Sequence, residues 1–320
     1  MTNNTFFEIQ EKINAATNIC LVVHQKADGD ALGSALAFSN YLKANDKTHT
    51  LFHAGNKTGY LSFINEYGEF SNDEGIFNKT LFDLIIFLDS SDLGLTGIEE
   101  NLKNLHHNPT VINIDHHVSN TYFGDFNFIE SEASSTSEII YEYLSSNNFK
   151  INQSTANFLL LGIYSDTQTL TNLATTPKTI AVVSKLLSLG ANIKTISKNL
   201  DVKRISTLKL WSRALSRITQ NKEHNITYTI ITQQDLKECN LDKDDTGGIA
   251  NFFNYIDEEG INMILTEMDD GTIKGSLRTT SPKYDVAKFA KIFGGGGHKK
   301  AAGFRVKGQL KETETGWSIV

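Results

Sequence analysis

Runs of apolar, largely β-branched residues recur through the first half of the chain and alternate with stretches of helical periodicity. Residues 19–24 (ICLVVH), 48–54 (THTLFHA), 83–89 (DLIIFLD) and 110–115 (TVINID) read as strands, with 126–130 (FNFIE) as a fifth. ALGSALAFSNYLKAN (31–45) and the apolar stretches at 154–164 and 177–189 read as helices, the last ending at Gly190. In SSTSEIIYEYLSS, the Ser135-x-x-Glu138 spacing predicts a helix opened by a capping box. Near-continuous apolar strands alternating with helices predict an α/β fold, a parallel sheet with helices on both faces.

The pattern then changes. Residues 191–220 keep helical spacing with a charged face (Lys194, Lys198, Lys203, Arg204, Arg213, Arg217) and read as a helical connector. From about residue 224, HNITYTIIT, INMILTEM and TIKGSLRT read as strands of a second sheet, and DVAKFAKIF (285–293) as a helix followed by GGGGH and AAGFRV. The expected organisation is a first domain over 1–190, a connector over 191–220 and a smaller α/β domain over 221–320.

Composition narrows the class. A chain of 320 residues can build two cores, and 39% hydrophobic with 21% charged residues fits a soluble globular protein. No stretch approaches the roughly 20 apolar residues of a membrane span. The N-terminal segment lacks a basic region followed by an apolar core, so no signal peptide is expected. Of two cysteines, Cys20 lies in an apolar run and reads as a buried thiol, which fits a reduced, cytoplasmic setting. A net charge of −7 and a pI of about 5.7 argue against tracking a long polyanion. They permit a small phosphorylated ligand neutralised by bound metal.

Three apolar runs end in metal-binding side chains: HQKADGD at 24–30, LD at 88–89 and DHH at 115–117. In parallel sheets ligands bind beyond the carboxyl ends of strands, where these residues fall. His24, Asp28 and Asp30 fit a metal site, although Asp30 equally suits the N-cap of the following helix. Asp89 alone reads as a turn residue as readily as a ligand. His116 and His117 after Asp115 project in different directions, so one can ligate while the other faces a substrate. Asp166 ends an apolar helix, at the pole of the helix dipole that disfavours a carboxylate unless a cation is near. His106 and His107, with no strand ahead of them, read as structural. Together the candidates are five carboxylates and three imidazoles with no thiolate, a set suited to Mn²⁺ and less to Mg²⁺, Fe²⁺ or Zn²⁺.

In the second domain, consecutive glycines including Gly296 and Gly297 either offer backbone N–H groups to an anion or form a flexible loop. His298 beside them, and Arg278 at a strand end, favour phosphate or base recognition. Arg278 is suited to a bidentate phosphate contact, with a surface ion pair as the alternative.

HxxxDGDALGS, LDSSD, IDHHVSN, SDT, SLRT and GGGGHKKAAGF, in this order, span essentially the whole chain. The set resembles the DHH/DHHA1 phosphoesterase family, and within it the nanoRNase type, which acts on short oligoribonucleotides and on pAp. The resemblance implies two Mn²⁺ ions, one held by His24 and Asp28 and bridged by Asp89 to a second. Asp30, His116 and Asp166 would complete the second site, Asp115 would support the shell, and a protonated His117 would face the scissile phosphate. It implies in-line attack by a hydroxide between ions about 3.5–4 Å apart. It also implies a second domain that grips the substrate through Arg278, Gly296, Gly297 and His298, closing on it with the first. The implied partners are short oligoribonucleotides and pAp, without long nucleic acid or membrane; a homodimer is left open. Two departures stand out: Ala27 replaces a usual proline, and TQTLTN follows Asp166 where relatives carry Gly and an aromatic–basic pair. Gln168, Leu170 and Thr171 therefore leave substrate preference open. The rival readings are a cyclic-dinucleotide or pApA phosphodiesterase and, without catalysis, a nucleotide sensor. An intact ligand set argues against the sensor. A RecJ-like exonuclease and a family II pyrophosphatase fit the length, charge and GGGGH motif less well.

Overall fold

Strand alternation partitions the first core into two halves. The structure, a computed structural model, describes all residues except 1, 56–62, 65, 67–68, 201–204, 242–247, 254–259 and 314–315. The chain forms two units, Met1–Val202 and Lys203–Val320. The first holds α1 (Thr2–Ala15), β1 (Asn18–Val22), α2 (Gly29–Ala44), β2 (Thr48–Phe52), α3 (Ile76–Lys79), β3 (Leu84–Leu88), α4 (Glu99–Lys103), β4 (Thr110–Asp115) and β5 (Phe126–Ile129). It continues with α5 (Thr136–Ser146), α6 (Gln153–Asp166), α7 (Pro177–Ser188) and α8 (Ile193–Leu200). The five strands pair in parallel in the order β2-β1-β3-β4-β5. Leu84, Ile86 and Leu88 enter one core with residues of α1, α2, α5 and α6, whereas Ile85 and Phe87 enter another with Phe77, Phe82 and Ile98. A strand buried on both faces needs an unbroken apolar run, which is what LIIFL supplies.

Cys20 is buried in β1, and burial pushes its thiol pKa up. Helix α1 docks through Phe6, Ile9 and Ile13, and its Gln10 carboxamide oxygen accepts from both Tyr41 and Tyr143 hydroxyls. Among the described residues, no single helix is long and apolar enough to cross a membrane.

Helices α2 and α6 cross at glycines. A Cβ on Gly33 would lie 2.4 Å from the Phe158 carbonyl oxygen, and one on Gly162 would lie 1.9 Å from Ser137 Oγ. The absent side chains bring the two helices close enough to share a site at their ends.

The second unit holds α9 (Ile205–Ser216), β6 (Thr219–Asn221), β7 (Ile226–Ile231), α10 (Gln233–Cys239), α11 (Ile249–Phe252), β8 (Ile261–Glu267) and β9 (Thr272–Arg278). After these come α12 (Val286–Ile292), β10 (Gly296–His298), β11 (Ala301–Lys307), β12 (Leu310–Thr313) and β13 (Gly316–Ile319). Its mixed sheet runs β10-β11-β9-β8-β7-β6, and β12 pairs with β13 separately. The segment 191–220 is not a separate connector. Ile196 of α8 is buried in the first unit's core, whereas Leu210 and Ala214 of α9 are buried in the second's. Lys203 and Arg204 lie outside the described residues. GGGGH is likewise not a free loop, because Gly296–His298 forms an edge strand antiparallel to β11.

Asp235, in the first turn of α10, is buried and accepts from Thr232 N–H at 2.9 Å and from Arg217 Nη2 at 3.0 Å. Burial alone would raise its pKa, but Arg217 and Thr232 hold it at about 2 against an ordinary 3.8. A depressed carboxylate stabilises the fold above its unfolded pKa and loses that contribution as pH falls through the folded value. Acid unfolding of the second unit should therefore steepen between pH 4 and 2. Asp235→Asn should remove this pH-dependent part, about 1–2 kcal/mol after solvent screening of the partly exposed guanidinium. Urea melts across that pH range check it, and parallel profiles for the two proteins would contradict it.

Candidate metal centre

Each candidate ligand of the first unit is placed by an element end. His24 lies just beyond β1, and Asp28 caps α2, its Oδ1 accepting from the N–H groups of Asp30 at 2.9 Å and Ala31 at 3.1 Å. The N-cap is thus Asp28 rather than Asp30, because the helix begins at Gly29, two residues earlier than the apolar pattern. Asp30, inside the first turn, is fully buried and accepts from Thr136 N–H at 2.6 Å and Ser137 N–H at 2.9 Å. These are the unpaired leading donors of α5, a natural carboxylate cradle.

Asp89 follows β3 directly with φ of 57°, the left-handed region that Asp tolerates better than most residues. The turn carries its carboxylate out of the sheet into a nest of imidazoles while leaving it 2% exposed. Oδ2 lies 3.6 Å from His24 Nε2, and Oδ1 lies 3.7 Å from both His116 Nε2 and His117 Nδ1. Thr136 Oγ1 donates to Oδ1 at 3.2 Å. Asp115, the last residue of β4, sits 2.7 Å from His117 Nδ1 through Oδ1, and its Oδ2 accepts from Asn120 Nδ2 at 2.6 Å. Asp166, the last residue of α6, places Oδ2 3.0 Å from His116 Nε2.

Three groups of potential ligand atoms result, each gathered within 4.8 Å: His24, Asp28 and Asp89; Asp30, His116 and Asp166; and Asp89, Asp115, His116 and His117. Asp89 and His116 belong to two groups each. His116 Nε2 is buried without a hydrogen bond, since Asp166 is near but off the line a hydrogen bond needs. An orphaned imidazole nitrogen facing carboxylates fits a cation ligand.

Electrostatics agree. Burial and the charges of Asp89 and Asp166 push Asp28 up to about 7 and raise Asp30, and burial with Asp89 raises Asp166. Asp89 goes the other way. Burial raises it, but the imidazoles of His24, His116 and His117 around it hold it below the ordinary value. Despite burial, Asp166 and its neighbouring carboxylates lift His116 to about 10, and the Asp115 hydrogen bond raises His117. Crowded carboxylates holding protons are relieved when a divalent cation replaces those protons. The donors are hard oxygens and imidazoles, and the described cysteines lie elsewhere.

Arg278, Gly296, Gly297 and His298 belong to the other unit, where they share one sheet. Ala301 of β11 pairs with His298 on one side and Arg278 on the other. Gly297 has φ of 139°, and a Cβ there would meet Ala302 Cα at 2.6 Å, so glycine keeps β10 against β11. Arg278 is half-buried, its Nη1 donating to Leu277 O at 2.9 Å, and His298 is exposed. His107 donates to the Phe82 carbonyl at 2.8 Å, well apart from the cluster in role.

Sequence reasoning did not assign Thr136, Ser137 or Asn120. The run SSTSE was legible only as a helix start, and Asn120 closes the IDHHVSN motif without a charge to mark it. Asn120→Ala should free Asp115 Oδ2 and loosen His117, lowering turnover about 10–100-fold. Steady-state rates with saturating metal test this, and an unchanged kcat would remove Asn120 from the site.

The family model described as "DHH family, N-terminal domain" matches residues 18–163, and that described as "DHHA1 domain" matches 224–315. The chain carries a DHH domain followed by a DHHA1 domain, the pairing found in DHH phosphoesterases, which are hydrolases. It is 29% identical over 300 residues to "Probable bifunctional oligoribonuclease and PAP phosphatase NrnA" of Streptococcus mutans, covering 93% of this chain and 92% of that protein. It is 22% identical over 316 residues to "Cyclic-di-AMP phosphodiesterase GdpP" of Bacillus subtilis, covering 94% of this chain and 46% of that protein. A solved exopolyphosphatase-related protein from Bacteroides fragilis shares the fold, with a TM-score of 0.85, 23% identity and coverage of 94% of this chain and 91% of that one.

Proposed function

We propose that the protein hydrolyses short oligoribonucleotides to mononucleotides and removes the 3′-phosphate of pAp, using two Mn²⁺ ions. The observation that carries the two-metal reading is Asp89, buried between His24 on one side and His116 on the other. Its carboxylate can serve both ions, with His24 and Asp28 completing one site and Asp30, His116 and Asp166 the other. When bound, the ions supply Lewis acidity, lowering the pKa of water and neutralising phosphate charge.

The chain's own groups do the rest. Asp115 accepts a hydrogen bond from His117 Nδ1–H, which leaves Nε2 to face a phosphoryl oxygen or the leaving group. Asp115 also favours the imidazolium, so His117 can stabilise charge that builds on the phosphate. In the second unit, Arg278, Gly296, Gly297 and His298 bind the nucleotide. The short-substrate preference is supported by the net charge of −7 and by the relative that spans nearly the whole chain. Two buried free thiols fit a reducing, cytoplasmic setting.

A second reading, a cyclic-dinucleotide or pApA phosphodiesterase, is favoured by the similarity to GdpP over 94% of this chain. One panel separates them: purified protein and Mn²⁺ with pAp, two- to five-mer RNA, pApA, cyclic di-AMP, pyrophosphate and a long single strand. Mononucleotides from short RNA and phosphate from pAp are the expected products. Faster turnover of pApA or cyclic di-AMP would replace the leading reading, and comparable turnover of the long strand would overturn it. Within the panel, Arg278→Ala should raise KM for short RNA about tenfold, the worth of one charge-assisted phosphate contact, with a smaller change in kcat.

A further inference from the structure

Glu138 is a fully buried carboxylate in the first turn of α5 that no step above uses. Its expected capping-box role is only half met. Ser135 Oγ accepts from Glu138 N–H at 3.1 Å, but the Glu138 side chain turns away from Ser135. Its Oε2 instead accepts from the Ser134 N–H and hydroxyl and from Thr179 Oγ1 at 2.9 Å. Thr179 belongs to the capping box that opens α7, the first helix after the ligand-bearing end of α6. Of the facing charges, Lys178 Nζ is 3.9 Å from Oε1 and is engaged with Glu142; Oε1 itself makes no hydrogen bond.

We infer that Glu138 is a positioning residue for the metal centre, holding the 134–137 turn in the one geometry that cradles Asp30 and Asp89. The turn it grips delivers Thr136 N–H and Ser137 N–H to Asp30 and Thr136 Oγ1 to Asp89. Those donors are rigid only if the turn is. A buried anion receiving three donors from two elements is a strong local constraint, because leaving those donors unpaired in the interior is costly. Through Thr179 the same carboxylate ties the start of α7 to this turn. Glu138 therefore acts one layer behind the ligands and touches neither substrate nor ion.

The inference rests on the two-metal reading but not on the choice of nucleotide substrate. Its test is Mn²⁺ binding to the full chain by calorimetric titration, with thermal unfolding and the Mn²⁺ dependence of turnover measured in parallel. Glu138→Ala should weaken Mn²⁺ binding about 10–100-fold, with turnover partly restored at high Mn²⁺. Glu138→Gln keeps an acceptor oxygen and should recover most of the affinity. Glu142→Gln, which removes the main partner of Lys178 but leaves the turn untouched, should bind as wild type does. If Glu138→Ala does not fold, Thr179→Val removes the α7 donor to Oε2, along with the Thr179 half of that helix's capping box, and should weaken binding about threefold to tenfold. Wild-type Mn²⁺ affinity in Glu138→Ala, or in Thr179→Val, would make Glu138 a helix cap and no more, overturning the inference alone. A wild-type protein that binds no Mn²⁺ would overturn the two-metal reading and this inference together.

Discussion

Asp89→Asn should lower kcat by at least about a thousandfold while the protein stays folded. Asparagine tolerates the left-handed backbone that Asp89 adopts at φ of 57°, and its amide oxygen can still accept from Thr136 Oγ1. Shape and turn are retained, so the change isolates charge. A neutral amide in that place removes the only carboxylate within 3.7 Å of His24, His116 and His117 together among the described residues. The two ions would lose their shared anion, and metal-based stabilisation of several kcal/mol corresponds to about 10³-fold or more in rate. Steady-state turnover at saturating Mn²⁺, beside circular dichroism, measures both halves of the expectation. Retention of a tenth of the wild-type rate would sink the bridging role.

Replacing Gly162 by alanine should be the second severe change, against the usual gain of about 1 kcal/mol from Gly to Ala inside a helix. The new Cβ would lie 1.9 Å from Ser137 Oγ and 2.4 Å from Asp30 Oδ1. Relief requires moving these two side chains, one of them a proposed ligand. Turnover and Mn²⁺ affinity should each fall more than about tenfold, the scale on which displaced supporting contacts act at metal sites. Gly33→Ala makes the contrast, because its nearest obstacle is the Phe158 carbonyl oxygen at 2.4 Å, which only a separation of α2 and α6 relieves. Stability should suffer first there, by about 1–3 kcal/mol. Melting temperatures and titrations on both variants distinguish the cases, and equal losses in both would contradict the division.

The sheet of the first unit was legible because strands buried on both faces leave an unbroken apolar record, as in DLIIFLD and TVINID. Much of the candidate cluster was legible because His24, Asp89 and the run Asp115–His117 fall at strand ends, whereas Asp166 ends a helix and was marked only by its place at the dipole's unfavourable pole. Helix α1 left little trace, since TNNTFFEIQEKINA spreads few apolar residues among many polar ones. The boundary between units was hidden for a different reason. Helical spacing runs through 191–220, and only packing shows that Ile196 and Leu210 belong to different cores. Strand β10 was hidden by composition, since glycines carry no β pattern and pair here because Ala301, Ala302 and Gly303 offer a complementary edge. The choice between Asp28 and Asp30 as helix cap turned on two residues of helix boundary that spacing alone does not fix.

The shared pairing of Ala301 also makes the second sheet a ruler. His298 and Arg278 stand on the two strands flanking that residue, so their backbones are separated by two inter-strand steps, about 9–10 Å. Direct cross-strand partners project from the same face, which fixes the side on which both can meet a ligand. The hairpin that sets this alignment turns through Lys299 and Lys300 alone. Adding or deleting one residue in that turn would leave Arg278 in place and send His298 to the opposite face. The length of a two-residue turn thus decides whether the imidazole and the guanidinium can read one molecule.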